Sequence, residues 1–124
     1  MDYRELLAKA KEVSQNAYVP YSKFKVGACV LTEDGSTFCG CNFENVSYGL
    51  TICAERNAIG TAIANGQTKI QAIAIYSPNE DNCVPCGACR QVLAEFKCDE
   101  VITEVKGEPK VYKLNYLIPE SFQF

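Results

Sequence analysis

Leu6, Leu7, Ala10, Val13 and Ala17 recur at the spacing of one helix face, and Asp2 stands where an N-cap belongs, so residues 2–17 predict a packing helix. Pro20 ends that pattern, because proline disfavours helical backbone in the residue before it. Residues 24–31 are rich in strand formers, Glu33-Asp34-Gly35-Ser36 supplies a turn, and Thr37–Asn42 returns, which predicts a hairpin. Phe43–Leu50, rich in Asn, Ser and Gly, predicts a loop. Thr51 is placed to cap a helix reaching about Asn65, with Ala58, Ile59, Ala62 and Ile63 facing inward and Asn65-Gly66 as its stop. The nearly unbroken apolar run Ile70–Tyr76 predicts a middle strand buried on both faces. Beyond a loop over Ser77–Val84, Gly87–Phe96 predicts a helix. Val101–Val105 and Lys110–Lys113 predict short strands joined by Lys106-Gly107-Glu108-Pro109. The order α-β-β-α-β-α-β-β implies an α/β fold, a mixed five-stranded sheet sandwiched by helices, without a dinucleotide-type glycine motif.

Length and composition narrow the class. A chain of 124 residues, 48% hydrophobic and 22% charged, reads as one globular domain over 1–124. No apolar run approaches the roughly 20 residues needed to span a bilayer, and the N-terminus carries no export pattern, so a cytoplasmic location is expected and no membrane partner. Eight cysteines would suit a secreted disulfide framework. In a reducing compartment, however, a tight Cys-x-x-Cys between a strand and a helix points to metal binding or catalysis. Histidine is absent, which removes Ser-His-Asp and Cys-His catalysis, histidine metal ligands and a histidine base. Proton transfer then falls to a carboxylate, lysine, tyrosine or cysteine tuned by its surroundings. With a net charge of -3 and a pI near 5.0, the chain offers no basic footprint for nucleic acid, so a small molecule is the expected substrate.

Candidate chemistry is concentrated in two stretches, Thr51-Ile52-Cys53-Ala54-Glu55-Arg56 and Pro85-Cys86-Gly87-Ala88-Cys89-Arg90. Together they offer three thiolates and a carboxylate, and three protein ligands leave a zinc ion one open position, as catalytic sites require. Both stretches fall at expected helix starts, where unpaired N–H groups and the helix dipole favour thiolates. Cys86 and Cys89 share a helix face at i and i+3. Arg56 lies at i+3 from Cys53, placed to donate to thiolate sulfur. Arg90 is a second candidate for that role, or a surface arginine.

The chain resembles the zinc-dependent cytidine deaminases in their three-cysteine form. The motifs fall in family order: Tyr21-Ser22-x-Phe24-x-Val26-Gly27-Ala28, Asn42-x-Glu44-Asn45, Cys53-Ala54-Glu55-Arg56, Pro85-Cys86-Gly87-Ala88-Cys89-Arg90-Gln91 and Leu117-Ile118-Pro119-x-x-Phe122. The resemblance implies a three-layer α/β/α fold and one Zn²⁺ per chain on Cys53, Cys86 and Cys89. It implies hydrolytic deamination of cytidine and deoxycytidine in pyrimidine salvage, with Glu55 passing protons and not ligating the metal. It also implies that Asn42 and Glu44 bind the sugar hydroxyls, that Phe24 packs against the base, and that the backbone N–H of Ala54 reads the ring carbonyl. Tyr48 and Phe122 match positions that reach a neighbouring subunit's pocket, which implies a homotetramer. Val84, where the family often has serine, and Asn115-Tyr116 depart from the pattern.

Other readings fit the same residues. A thioredoxin-like enzyme would use the strand–CxxC–helix order around Cys86 and Cys89, leaving Cys53-Ala54-Glu55 without a role. A structural zinc module would close the site with Cys39, Cys41 or Cys83 and make Glu55 dispensable. An antibiotic-nucleoside deaminase of the blasticidin type would share the cysteine and glutamate motifs.

Overall fold

The computed structural model describes residues 1–123. Its strands are β1 (Gly27–Thr32), β2 (Thr37–Cys41), β3 (Ile70–Tyr76), β4 (Glu100–Val105) and β5 (Glu108–Lys113). Its helices are α1 (Tyr3–Ser14), α2 (Ala54–Ala64), α3 (Gly87–Glu95) and the short α4 (Leu114–Leu117), with a 3-10 turn at Tyr48–Leu50. The sheet runs β2-β1-β3-β4-β5 and is antiparallel except for the pair β3–β4. That pair is parallel because the chain crosses back through α3 between the two strands.

Strand alternation sorts the side chains into two cores. Cys29, Leu31, Ala72, Ala74 and Ile102 meet Leu6, Leu7 and Ala10 of α1. Ala28, Val30, Ile73, Ile75 and Val101 meet Ala58, Ile59 and Ala62 of α2 and Leu93 of α3 on the other face. The architecture is therefore an α/β/α sandwich with the expected Ile70–Tyr76 strand in its centre. Two glycines let the layers close. A Cβ on Gly27 of β1 would stand 2.0 Å from the Ala10 carbonyl oxygen, and one on Gly40 of β2 would stand 2.5 Å from Ala58 N of α2.

The departures from the sequence reading have local causes. Helix α1 takes Asp2 as its N-cap, whose side chain accepts from Arg4 N, but it ends at Ser14 and not near residue 17. Strand β1 begins at Gly27 and not at Phe24, because side chains from elsewhere hold the backbone of the preceding segment. Helix α2 is capped by Cys53 and not by Thr51. Ile52 exchanges hydrogen bonds of 3.0 and 3.1 Å with Phe43, which keeps the chain extended up to Cys53. Ile63 is 42% exposed and not inward-facing; it lies in the last turn of α2, where Ala62 carries the buried line. The β4–β5 connection is a two-residue turn, with Lys106 and Gly107 at φ 49° and 83°. Glu108 and Pro109 therefore join β5, and a proline is tolerated there because an edge strand leaves one row of N–H positions unpaired.

Candidate active site

Two helix N-termini on the same side of the sheet build the site. Cys53 is the N-cap of α2 and Cys86 the N-cap of α3, with Cys89 one turn inside α3. The sulfurs of Cys53, Cys86 and Cys89 all lie within 4.8 Å of one another. Asn57 fixes α2 against the end of β2 by donating from Nδ2 to the Cys41 carbonyl at 2.7 Å. Arg90 fixes the start of α3, donating to the carbonyl oxygens of Pro85 and Leu117, each at 2.7 Å. Those carbonyls, and not the sulfurs, are what Arg90 serves.

The electrostatics favour a metal. Cys53 is pulled down to about 5, chiefly by the hydrogen bond its sulfur accepts from Cys89 and then by Arg56, despite the opposing effect of burial. Giving that bond pushes the Cys89 thiol up. Arg56 Nη2 stands 3.5 Å from Cys53 Sγ and 3.4 Å from the Thr51 carbonyl. Its Nε is the one buried side-chain nitrogen or oxygen among the described residues without a hydrogen-bond partner, so the site holds unused positive character beside its sulfurs. Three thiolate donors, two helix N-termini and a guanidinium suit a thiophilic divalent ion, and zinc–sulfur bonds of about 2.3 Å need only small side-chain movements from these separations. Cys83 is not part of the cluster. It lines a cleft of about 220 Å³ with Ser77, Glu80, Asp81 and Glu104, and burial, then the negative charges of Glu55 and Glu80, raise its thiol to about 12.

Glu55, in the first turn of α2, is 5% exposed. Burial raises its carboxyl to about 7, with the negative charge of Cys53 adding to the effect. A carboxyl poised there both accepts and donates protons at neutral pH. Ala54 is fully buried at the first helical position, where backbone N–H groups have no acceptor within the helix.

The bridges Tyr18–Phe43 and Phe43–Ile52 pair Phe43, which lies between Asn42 and Glu44, with the residue that precedes Cys53. Asn42 is buried, donating from Nδ2 to the Phe24 carbonyl and accepting from Val26 N, both at 2.9 Å. Glu44 accepts from Tyr21 N at 3.1 Å, from Ser22 N at 3.2 Å and from the Ser22 hydroxyl. Phe24 is half-buried against the core that includes Ala54. Tyr48 and Phe122, by contrast, lie on the surface of the chain, 72% and 70% exposed. Tyr48 meets Tyr21 edge to face at 6.1 Å, and the Phe122 carbonyl accepts from Gln91.

The residues that hold the site's loops carry little local signal of that role in the sequence. Asn82, at φ 53°, anchors the segment leading to Cys86 by accepting from Thr103 Oγ1 at 2.7 Å, donating to Tyr112 Oη at 3.0 Å and donating from its own N–H to the Glu104 carbonyl at 2.9 Å. Asparagine's tolerance of left-handed backbone was the available signal. Asn79 accepts from Lys25 N at 2.9 Å; nothing local distinguishes it from any other loop asparagine.

A family model described as the cytidine and deoxycytidylate deaminase zinc-binding region matches residues 1–105. A cytidine deaminase of Sporosarcina psychrophila is 43% identical, the match covering 98% of this chain and 92% of that protein. One from Mycobacterium tuberculosis is 39% identical over 98% of this chain and 90% of its own. Among solved structures, the cytidine deaminase of Burkholderia pseudomallei superposes with a TM-score of 0.91 at 43% identity, covering 98% of this chain and all of that one. The Mycobacterium tuberculosis enzyme gives 0.87 at 39% identity, covering 100% of this chain and 99% of that one. Matches of this extent, on a chain whose thiol cluster and buried carboxyl occupy the two motif-bearing helix starts, establish that it belongs to the cytidine deaminase family of hydrolases.

Proposed function

We propose that the chain hydrolyses cytidine and deoxycytidine to uridine and deoxyuridine, releasing ammonia, with one Zn²⁺ held by Cys53, Cys86 and Cys89. The observation that carries this reading is the buried Glu55 carboxyl set beside a three-thiol cluster that no fourth acidic or cysteine ligand closes among the described residues. A zinc ion bound there would supply Lewis acidity that makes water nucleophilic near neutral pH. Glu55 takes a proton from the water that adds to the ring carbon bearing the amino group and delivers it to the ring nitrogen. It then carries the second proton to the departing nitrogen, which leaves as ammonia. Burial keeps Glu55 near the pH at which both transfers are possible.

We assign the Ala54 N–H, at a helix start, to reading the ring carbonyl, and Phe24 to packing against the base. Asn42 and Glu44 retain hydrogen-bonding capacity for sugar hydroxyls beyond the contacts they make within the chain. The net charge of -3 favours a free nucleoside over a polynucleotide. Tyr18, Phe43, Val46, Tyr48 and Leu50 are each exposed, the last four within the segment that leads to Cys53, and we assign them to contacts between copies in a homotetramer. Among the described residues no helix is long and apolar enough to cross a membrane, and we place the enzyme in the cytoplasm, serving pyrimidine salvage.

The test is conversion of cytidine, deoxycytidine and dCMP, followed by ultraviolet change and ammonia release, for wild type and Glu55→Gln. The expected result is nucleoside turnover that falls by at least about 10²- to 10⁴-fold in a variant that keeps its zinc. Wild-type inertness towards both nucleosides, or a clear preference for dCMP, would remove the substrate assignment.

A further inference from the structure

The segment 21–26 carries Phe24 but belongs to no strand. Its backbone is instead suspended from side chains. Glu44 accepts from the N–H groups of Tyr21 and Ser22, Asn79 from Lys25, and Asn42 from Val26 while donating to the Phe24 carbonyl. The remaining contact is indirect. The Phe24 N–H donates to Ser22 Oγ at 3.0 Å, and the Ser22 hydroxyl donates in turn to Glu44 Oε2. Lys23, between them, is left-handed at φ 63°, with its N–H bonded to the Val19 carbonyl at 3.0 Å.

We infer that Ser22 is a positioning residue whose hydroxyl joins the Glu44 carboxylate to the backbone of Phe24, making the sugar and base subsites one unit. The inference rests on the roles assigned above to Phe24 and Glu44. A bond to an ionised carboxylate is stronger than one between neutral groups, and bonds in a chain polarise one another. A carboxylate has about four lone-pair sites, and this turn occupies three of them. A sugar hydroxyl reaching Glu44 therefore lands on a group already committed to holding Phe24. The alternative is an exposed serine that merely closes its own turn, which would leave substrate affinity untouched.

Phe24 meets the base in ground and transition states alike, so its misplacement belongs in KM more than in kcat. Ser22→Ala is expected to raise KM for cytidine about tenfold, the scale of a lost charge-assisted hydrogen bond, with kcat changed less than about threefold. Ser22→Thr, which keeps the hydroxyl, recovers most of that loss. In a Phe24→Ala background, Ser22→Ala adds nothing further. Hydrogen exchange at the Phe24 amide reads the relay without substrate, and it quickens locally in Ser22→Ala. The inference is overturned if Phe24→Ala raises KM while Ser22→Ala stays within about twofold of wild type, or if the two losses multiply. Should Phe24→Ala leave KM unchanged, it is the base-packing role that fails; unaltered Phe24 amide exchange in Ser22→Ala would then overturn the relay as well.

Discussion

Arg56 is the residue on which the charge balance of the site turns. In the proposed centre, three thiolates on a dication leave a net negative charge, and the guanidinium with Nη2 3.5 Å from Cys53 Sγ is a cation in direct reach of it. Arg56→Gln keeps a side chain of similar length but loses the charge. Losing such an outer partner commonly lowers metal affinity by about 10- to 100-fold. Transfer of zinc to a chromophoric chelator is therefore expected to quicken by at least about tenfold in Arg56→Gln. Equal release rates in the two proteins would show that the sulfurs do not need the arginine. Glu55 differs in kind. It touches the reacting atoms in the proposed mechanism, so Glu55→Gln is expected to lose turnover and keep its metal, the reverse of the Arg56 pattern.

At the scale of elements, α2 and α3 matter because they carry the proposed ligands. Gly27 and Gly40 both lie where a helix backbone presses on a strand, but the helices they admit differ in duty. Helix α1 only packs, whereas α2 brings Cys53 and Glu55. Alanine at either position forces the layers apart, an overpacking cost of about 1–3 kcal/mol or more. Urea unfolding of Gly27→Ala and Gly40→Ala is expected to show both losses, while weakened zinc retention accompanies Gly40→Ala alone. Matching zinc retention in the two folded variants would mean that α2 does not transmit the displacement. The same logic applies to the segment before α3, which Asn82 ties to β4 and β5 through Thr103 and Tyr112.

For the whole molecule, the question is what covers the apolar surface around Tyr48. Tyr18 and Phe43 are bridged through their backbones, and Tyr21 meets Tyr48, so the exposed rings sit on two adjoining segments that also hold the proposed nucleoside site. In the proposed homotetramer, assembly and activity are linked. In sedimentation, wild type is expected as a tetramer, and Tyr48→Asp as smaller species whose specific activity falls in step with dissociation. A fully active wild-type monomer would separate the two properties and end the proposed sharing of pockets.

Much of this was already written in the chain. Helix periodicity in α1, the apolar run of β3 and the paired motifs ending in Cys53-Ala54-Glu55 and Cys86-x-x-Cys89 depend on local spacing, which sequence records directly. The existence of α1 to α3 and of the five strands followed from that spacing, whereas the short α4 and the 3-10 turn at Tyr48–Leu50 did not, and it was the resemblance that gave Glu55 its expected role beside the thiols. The tertiary structure decided what depends on groups distant along the chain. Ile52 is held extended by Phe43, which moves the cap of α2 from Thr51 to Cys53. Asn42 and Glu44, some twenty residues away, hold the backbone around Phe24 and keep it out of β1. Arg90 finds carbonyls in place of sulfurs because Leu117 folds back beside it. Burial, the chief cause of Glu55's raised pKa, exists only once α2 is packed against the sheet. Spacing along a chain specifies which groups are available; a proton affinity or a cap depends on which of them meet, and that is set by packing.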